Sequence, residues 1–192
     1  MEKSSERSSA NLWVEALQTV ALSIALALGI RTFVAEARYI PSGSMLPTLE
    51  INDRLVIEKI SYLFHPPERG DIVVFHPPAA AGEQFVKEAF IKRVIGLPGE
   101  TVEVKNGKVY INGSPLAENY IEAPPDYNLA PETVPQGSYL VFGDNRNNSD
   151  DGHVWGFLPG DRIIGRASVR FWPLDRLAYL TDPSYQLSSA QK

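Results

Sequence analysis

The sequence predicts a mainly β protein, in which an N-terminal transmembrane helix precedes an antiparallel β-rich domain that carries a small irregular insertion. One stretch near the N-terminus is long, apolar and nearly free of charge, and seven short runs after it are rich in β-branched and aromatic residues. The 192 residues also include 15 prolines, 14 glycines and 19 aromatic residues, which favours short strands joined by turns over a helix bundle.

The helix is predicted over residues 12–35, after a polar tail at 1–11. Residues 16–30 are 15 consecutive positions without charge, and only Glu15 and Arg31 bring charge into the longer stretch of 24 residues. A spanning helix needs about 20 mainly apolar residues, and long charged side chains near its ends can reach the interface. We therefore expect a membrane anchor.

Other interpretations of this segment stay open from its residues alone. A cleaved secretory signal is one, with Lys3 and Arg7 in its basic region and Ala35-Glu36-Ala37 as an A-x-A cleavage site. A buried core helix is another. A helix lying flat on a membrane fits less well, because apolar residues occur all round the helix.

The β-rich domain is predicted over 36–183, before a polar tail at 184–192. The predicted strands are 54–60, 71–75, 85–95, 101–105, 108–111, 138–142 and 162–172. Asn106-Gly107 separates two alternating runs and predicts a tight hairpin of type I′. Residues 114–137 contain five prolines and are predicted to be an irregular, variable insertion.

Composition excludes several classes of function. The net charge of −5 disfavours nucleic acid as the main partner. The absence of cysteine excludes disulfides, thiol catalysis and cysteine-based zinc or iron–sulfur sites, and three scattered histidines leave little for a histidine-based metal site. We therefore expect neither a metal nor another cofactor.

The first stretch with candidate chemistry is 41–49, PSGSMLPTL. Two prolines and a glycine restrict this turn, yet it contains Met45 and two leucines, which a plain solvent loop does not need. Such a turn suits contact with a membrane or an apolar substrate. Ser44 is a candidate nucleophile, although it lacks the G-x-S-x-G elbow.

The second stretch centres on Lys92, which shares a predicted strand face with Phe90 and Val94 and also with Glu88. Apolar neighbours disfavour the ammonium form and lower the pKa, and a neutral amine is a competent general base. From the pattern alone, a solvated lysine at a strand edge is the favoured interpretation.

A third stretch, 143–156, is polar and glycine-rich between apolar flanks. Its acidic residues do not have the spacing of a calcium-binding EF-hand loop. Two catalytic systems can be assembled from these parts. Ser44 and Lys92 would form a Ser–Lys dyad, whereas Ser44, His153 and either Asp144 or Asp151 would form a Ser–His–Asp triad.

Taken together, four stretches resemble those of type I signal peptidases, the membrane-bound Ser–Lys proteases. They are PSGSM-PTL at 41–49, GDIVVF at 70–75, KRVIGLPG at 92–99 and GDNR-NS at 143–149, in that order after an apolar segment. The resemblance covers roughly residues 12–172 and implies a signal-peptidase-type antiparallel β catalytic domain behind a retained anchor.

The resemblance also implies a role for each matching residue. Ser44 would be the nucleophile and Lys92 its general base. Ser42 would join the Ser44 backbone N–H in the oxyanion hole, and Ser149 would hold the Lys92 amine in place. Structural ion pairs are implied for Asp144, Arg146 and Asp151, and apolar pockets for the substrate's small −1 and −3 residues are implied for Ile40, Met45, Leu49, Phe90 and Ile91.

The implied partners are precursor proteins bearing signal peptides and the lipid bilayer. The implied location is a single-pass membrane protein whose catalytic domain faces the periplasm, the cell exterior or the thylakoid lumen. Gly152 and His153 depart from the family's commoner Ser and Arg, which puts the pairing of Asp151 in doubt. A Ser–His–Asp hydrolase and an anchored β domain that binds peptides by strand addition are the alternatives.

Overall fold

The computed structural model describes residues 3–85 and 88–180 and divides the chain into two compact units, Met1–Glu36 and Ala37–Lys192. In the first unit, helix α1 spans Lys3–Gly29 and is followed by a π-helical segment, Ile30–Val34. The helix therefore starts inside the predicted polar tail.

The stretch Leu12–Val34 is 23 residues long with a mean hydropathy of 1.7, and none of it is buried. Its length and composition are those of a membrane-spanning helix. Large apolar side chains such as Leu17, Leu22 and Leu26 lie exposed on it, which is the opposite of a buried core helix. The predicted anchor thus coincides with a helix whose apolar surface is uncovered.

The second unit is built from short strands. Their bounds are β1 Ala35–Tyr39, β2 Arg54–Glu58, β3 Ile72–Phe75, β4 Phe90–Gly96, β5 Thr101–Lys105, β6 Lys108–Ile111, β7 Ser114–Pro115, β8 Leu129–Thr133, β9 Ser138–Phe142, β10 Leu158–Pro159, β11 Ile163–Trp172 and β12 Ala178–Tyr179. One four-residue helix, α2, spans Gly152–Trp155.

These strands form two sheets. The larger has eight strands in the order β1-β2-β11-β3-β4-β9-β10, with β12 against β11, and the smaller has four in the order β7-β6-β5-β8. The pairings from β2 onward are antiparallel. The predicted mainly β, antiparallel architecture is therefore confirmed.

Strand β4 is central to the larger sheet and determines where the site lies. It pairs with β3 on one side, Val73 opposite Lys92, and with β9 on the other, Arg93 opposite Phe142. Side chains alternate along a strand, so these two neighbouring cations point to opposite faces of the sheet. One core cluster lies under the turn at 41–49 and contains Ile40, Met45, Leu49, Leu55, Ile57 and Ile91.

Besides the earlier start of α1 and the additional short elements β1, β10, β12 and α2, the structure differs from the prediction at one strand and in the insertion. The predicted strand 85–95 begins only at Phe90, because Glu83–Phe85 forms a 3₁₀ turn, and residues 86–87 lie outside the described residues. The predicted irregular insertion contributes β7 and β8, and β8 pairs with β5 to complete the small sheet. Pro131 is compatible with β8 because that strand lies at the sheet edge.

The predicted hairpin at Asn106-Gly107 is confirmed. It joins β5 to β6, and both turn residues have positive φ, 51° and 71°, as a type I′ turn requires. The predicted tail at 184–192 and the predicted domain end at 183 lie outside the described residues.

Candidate active site

Ser44 and Lys92 lie next to each other in the interior of the second unit, Ala37–Lys192. The Lys92 Nζ atom donates a hydrogen bond of 2.7 Å to Ser44 Oγ. Ser44 is 8% exposed and Lys92 5%, so both residues are largely withdrawn from bulk solvent. The fold thus brings together the two members of the predicted dyad, which are 48 residues apart in sequence.

Burial changes the chemistry of this amine. Desolvation lowers the pKa of Lys92 from 10.5 to about 8, against the opposing influence of Asp151, Asp150 and Asp144. A lysine with a pKa near 8 is neutral in an appreciable fraction of molecules at neutral pH, whereas an ordinary lysine is almost wholly protonated. The amine can therefore act as a general base toward the hydroxyl that it contacts.

Residues 143–151, the polar loop between β9 and α2, hold the backbone around Ser44 in place. The Asn145 backbone N–H donates to the Ser44 carbonyl at 3.0 Å, and the Asn145 side-chain amide donates to the Gly43 carbonyl at 3.1 Å. The hydroxyl of Ser42 lies 3.4 Å from that of Ser44. Ser42 is thus near enough to assist an oxyanion that forms beside Ser44.

On the opposite face of β4, Arg93 forms a buried ion pair with Asp144. Arg93 donates through Nε to Asp144 Oδ1 at 2.8 Å and through Nη2 to Asp144 Oδ2 at 2.6 Å. Thr48 also donates to this carboxylate, and both ionic side chains are almost wholly buried. Asp144 is therefore a structural ion-pair residue that ties the polar loop to β4 and to the turn at 41–49.

A second buried pair links the polar loop to the insertion. Arg146 donates two hydrogen bonds to the Glu118 carboxylate, at 2.9 and 2.6 Å, and a third to the Gly143 carbonyl at 3.0 Å. The Tyr120 ring lies under both guanidinium groups, 4.2 Å from that of Arg93 and 5.9 Å from that of Arg146. Burial disfavours the charged form of Arg146, but the negative charge of Glu118 and its hydrogen bonds outweigh this and hold the pKa of Arg146 above its ordinary value.

Asp151 caps helix α2 and orients the start of the polar loop. Its carboxylate accepts from the Gly143 backbone N–H at 2.8 Å and from the His153 backbone N–H at 3.1 Å. The His153 Nδ1 atom lies 2.7 Å from the same carboxylate, and its ring stacks on Tyr127 with 4.0 Å between centroids. His153 therefore supplies the partner that the sequence put in doubt.

These contacts do not assemble the triad alternative. His153 bonds Asp151, Asp144 bonds Arg93, and the hydroxyl of Ser44 takes its hydrogen bond from Lys92 instead. Gly152, the other departure from the family pattern, fits its position closely. A Cβ there would lie 2.7 Å from Leu140 Cδ1 and 2.8 Å from the Val141 carbonyl oxygen, so a serine would need a local shift.

The predicted bond between Ser149 and the Lys92 amine is not formed. Ser149 Oγ is buried and has no hydrogen-bond partner among the described residues. It packs against Gly143, where an added Cβ would come within 2.2 Å of this oxygen and 2.4 Å of the Ser44 carbonyl. Glycine at 143 is thus required by close packing between the loop and the turn that carries Ser44.

A cleft opens onto the dyad. It consists of two adjoining cavities of about 400 and 440 Å³, which share the lining residues Pro41, Glu88, Ala89, Phe90 and Ile91. The first also contains Ser42, Ser44, Lys92, Asn148 and Asp150, and the second Tyr39, Ile40 and Val74.

The structure corrects part of the predicted pocket lining. Ile40, Phe90 and Ile91 line the cleft, and their contact with the substrate's −1 and −3 residues stays a prediction. Met45 and Leu49 do not, because both side chains are fully buried and pack in the core cluster beneath the turn. Their role is to support the turn at 41–49 from inside.

Sequence reasoning missed several residues that hold the site. Asn145 was visible as part of the GDNR stretch, but nothing local showed that it would bond residues 43 and 44. Arg93 lies beside Lys92 in the KRVIGLPG stretch, but its neighbours in the sequence do not identify Asp144 as its partner. Glu118 and Tyr127 gave no signal, because their partners lie in a distant loop.

Comparison with known proteins adds an independent line of information. A family model described as "Signal peptidase, peptidase S26" matches residues 13–172. A signal peptidase I of Leptolyngbya laminosa is 66% identical over 172 residues, covering 88% of this chain and 85% of that protein. A probable signal peptidase I-2 of a Synechocystis species is 58% identical over 180 residues, covering 94% and 83%.

A more distant relative is a probable thylakoidal processing peptidase 2 of Arabidopsis thaliana. It is 41% identical over 170 residues, covering 88% of this chain and 46% of that protein. The residues matched by the family model span both Ser44 and Lys92, together with the loop that follows β9.

Proposed function

This chain belongs to the signal peptidase family, peptidase S26, and we propose that Ser44 and Lys92 are the nucleophile and general base of its peptide-bond hydrolysis. Membership makes the protein a membrane-anchored serine endopeptidase that removes signal peptides. The single observation that supports the dyad most strongly is the 2.7 Å contact between a buried amine and a buried hydroxyl.

In the proposed acylation step, neutral Lys92 takes the proton of Ser44 Oγ as that oxygen attacks the scissile carbonyl carbon. The Lys92 ammonium then gives its proton to the leaving amine, the C–N bond breaks, and an acyl-enzyme ester remains on Ser44. Lys92, neutral again, activates a water molecule that hydrolyses the ester and regenerates the serine hydroxyl. Every proton is returned, so no cofactor is needed.

The oxyanion formed during attack requires donors. The Ser44 backbone N–H and the Ser42 hydroxyl are the groups that we assign to it, and the 3.4 Å between the two hydroxyl oxygens supports the assignment of Ser42. Loss of one such donor typically lowers kcat by about 10²–10³-fold. Asn145 keeps the turn in place through its bonds to the Gly43 and Ser44 carbonyls.

The cleft suits an extended peptide with small side chains. The segment before the scissile bond would lie along the cavity lined by Ile40, Phe90 and Ile91, and its −1 and −3 residues would enter the apolar pockets. We propose that these apolar walls select small side chains such as alanine at both positions. Precursor proteins bearing signal peptides are thus the proposed substrates.

The anchor fixes where the reaction takes place. A signal peptide ends at the bilayer surface, and the helix over Leu12–Val34 keeps the catalytic unit there. Because secreted precursors are cleaved after crossing, we place the catalytic unit on the extracytoplasmic side. Protease protection in sealed vesicles of known orientation would test this, because the added protease reaches the catalytic unit only if that unit lies on the outer face.

Replacement of Ser44 by alanine tests the nucleophile. The full chain in detergent or liposomes is incubated with a precursor, and the new N-terminus is identified by mass spectrometry. We expect Ser44→Ala to lose cleavage by at least about a thousandfold while it folds normally, because within residues 3–85 and 88–180 no other hydroxyl is hydrogen bonded to Lys92.

The matched control is Ser114→Ala in the small sheet, which should cleave at the wild-type rate. Cleavage by Ser44→Ala at near wild-type rate would transfer the role to another residue. A loss of all activity in His153→Ala, with Lys92→Ala still active, would instead favour a triad.

A further inference from the structure

Carboxylates surround the dyad lysine, although none is hydrogen bonded to it among the described residues. Those of Asp151, Asp150 and Asp144 each favour the charged form of the Lys92 amine, against the desolvation that disfavours it. Glu88 adds a fourth carboxylate at the wall of the same cavity. These groups differ sharply in how far their charge is already compensated.

Two of the carboxylates accept hydrogen bonds from groups other than Lys92. Asp144 is buried and receives two bonds from the Arg93 guanidinium and one from Thr48. Asp151 is buried and accepts from two backbone N–H groups and from the His153 ring. Their charges are paired or solvated by the protein, and both hold the fold of the polar loop.

Asp150 is different. It is exposed, and it lines the cavity that contains Ser44 and Lys92. Within residues 3–85 and 88–180, no salt bridge joins this carboxylate to a basic side chain. Its charge is therefore available to act on the cavity that it faces.

On the basis of the dyad proposed above, we infer that Asp150 is a positioning residue that stabilises the ammonium form of Lys92 and so raises the lower pH limit of activity. The ammonium forms when Lys92 takes the proton of Ser44, and it must persist until the leaving amine collects that proton. A nearby uncompensated carboxylate favours this charged state. The same carboxylate also makes Lys92 hold its proton to higher pH in the free enzyme.

These two effects change the rate in opposite directions at low and at high pH, so the pH profile distinguishes them from simple damage to the site. Removal of the Asp150 charge leaves more Lys92 neutral at low pH, so the variant should be faster there. The amine is then also a weaker base, so the variant should be equal or slower at high pH. Simple damage to the site lowers activity at every pH and does not make the two profiles cross.

The test is the pH profile of kcat/KM for precursor cleavage by the full chain, wild type against Asp150→Asn. The midpoint of the rising limb should move down by about 0.3–0.7 pH unit, the size expected for an exposed charge pair. Well below the midpoint this makes the variant about two- to fivefold faster. Asp150→Lys should move the midpoint further in the same direction.

Salt and a matched control make the assignment specific. The shift should shrink at about 1 M salt, where exposed charges are screened over roughly 3 Å. Asp161→Asn removes an exposed carboxylate outside the cleft and should leave the midpoint unchanged. Glu88→Gln shows how much the other carboxylate of the cavity contributes.

A midpoint that stays fixed or rises in Asp150→Asn would overturn the inference, as would a loss of activity that is uniform across pH. Lys92→Met distinguishes this failure from failure of the dyad. If Lys92→Met is inactive while Asp150→Asn keeps the wild-type midpoint, only the role of Asp150 is wrong. If Lys92→Met still cleaves, the dyad itself is wrong.

Discussion

Each face of β4 carries a buried basic side chain, and the two side chains differ in the groups that they contact. On one face Lys92 reaches Ser44, a neutral hydroxyl, and no carboxylate pairs with its amine among the described residues. On the other face Arg93 is paired to Asp144 by two hydrogen bonds, and both are buried to a similar degree. Adjacent residues on one strand therefore experience similar desolvation with different compensation.

The comparison shows that burial alone does not make a residue reactive. The Arg93 guanidinium is permanently charged because arginine keeps its proton in a protein, and the counter-charge of Asp144 offsets the cost of burying it. Without such a partner, desolvation lowers the pKa of Lys92 to about 8, so that part of the amine is neutral and can accept a proton, as the dyad proposed above requires. We propose that this difference in compensation separates the general base from the structural cation.

Replacement of Lys92 by arginine, the residue type found on the other face, should have the largest effect on activity. Arginine has the reach and charge of lysine but does not give up its proton in a protein. Lys92→Arg should therefore lose at least about a thousandfold in kcat/KM, as much as Lys92→Ala. Substantial turnover by the arginine variant would show that position 92 needs only a positive charge.

Removal of compensation on the Arg93 face should destabilise the protein. Asp144→Asn leaves the buried guanidinium without its counter-charge, and we expect a loss of about 3–5 kcal/mol in the free energy of unfolding. Chemical denaturation of the catalytic unit in the full chain measures it. Asp175→Asn, which removes an exposed carboxylate, is the control and should change stability by less than about 0.5 kcal/mol.

The uncompensated Lys92 should itself reduce stability at neutral pH. The drop in its pKa from 10.5 to about 8 corresponds to about 3 kcal/mol. Between these two values the unfolded chain still binds the proton that the folded protein has released, so wild-type stability should rise with pH through this window.

Lys92→Met removes the titrating group while keeping an apolar chain of similar length. It should be about 3 kcal/mol more stable than wild type near pH 7, and this advantage should disappear near pH 10.5. Denaturation midpoints of both proteins across this range would test it. A wild type as stable as Lys92→Met at pH 7 would indicate that burial of the ammonium carries no penalty.

The smallest effect is expected where the insertion meets the polar loop. Asn147 accepts a hydrogen bond from the Asp126 backbone N–H at 2.9 Å and donates one to the Pro124 carbonyl at 3.0 Å, both in an exposed setting. Asn147→Ala should lower stability by about 1 kcal/mol and kcat/KM by less than about threefold. Asn128→Ala, at an exposed position of the same segment, should leave both unchanged.

Local patterns in the sequence marked Ser44 and Lys92 only as candidates, and the resemblance to a family was needed to join them in a dyad, which stays a proposal. Apolar neighbours at period 2 marked Lys92, and restricted turn residues with buried-type side chains marked Ser44. The Asn106-Gly107 turn was predictable because its left-handed backbone favours those two residues. In each case the information lies within a few residues of the feature that it predicts.

Features that depend on distant partners were not predictable from these patterns. The strand Leu129–Thr133 contains a proline and exists because it pairs with β5, which precedes it by more than 20 residues. Glu118 meets Arg146 across 28 positions. Met45 and Leu49 match the apolar character expected of a pocket wall, and only packing against the sheet directs them into the core instead.

The central claim is that Lys92 has an amine of unusually low pKa, and a direct titration of that amine tests it. Lysines labelled with ¹³C at Cε in the full chain give NMR signals that move as each amine loses its proton, and Lys92→Met identifies the signal of Lys92 among the seven lysines. We expect the Lys92 signal to titrate near pH 8, while exposed lysines titrate near their ordinary value of about 10.4. A Lys92 signal that titrates together with the others near pH 10.4 would contradict the account.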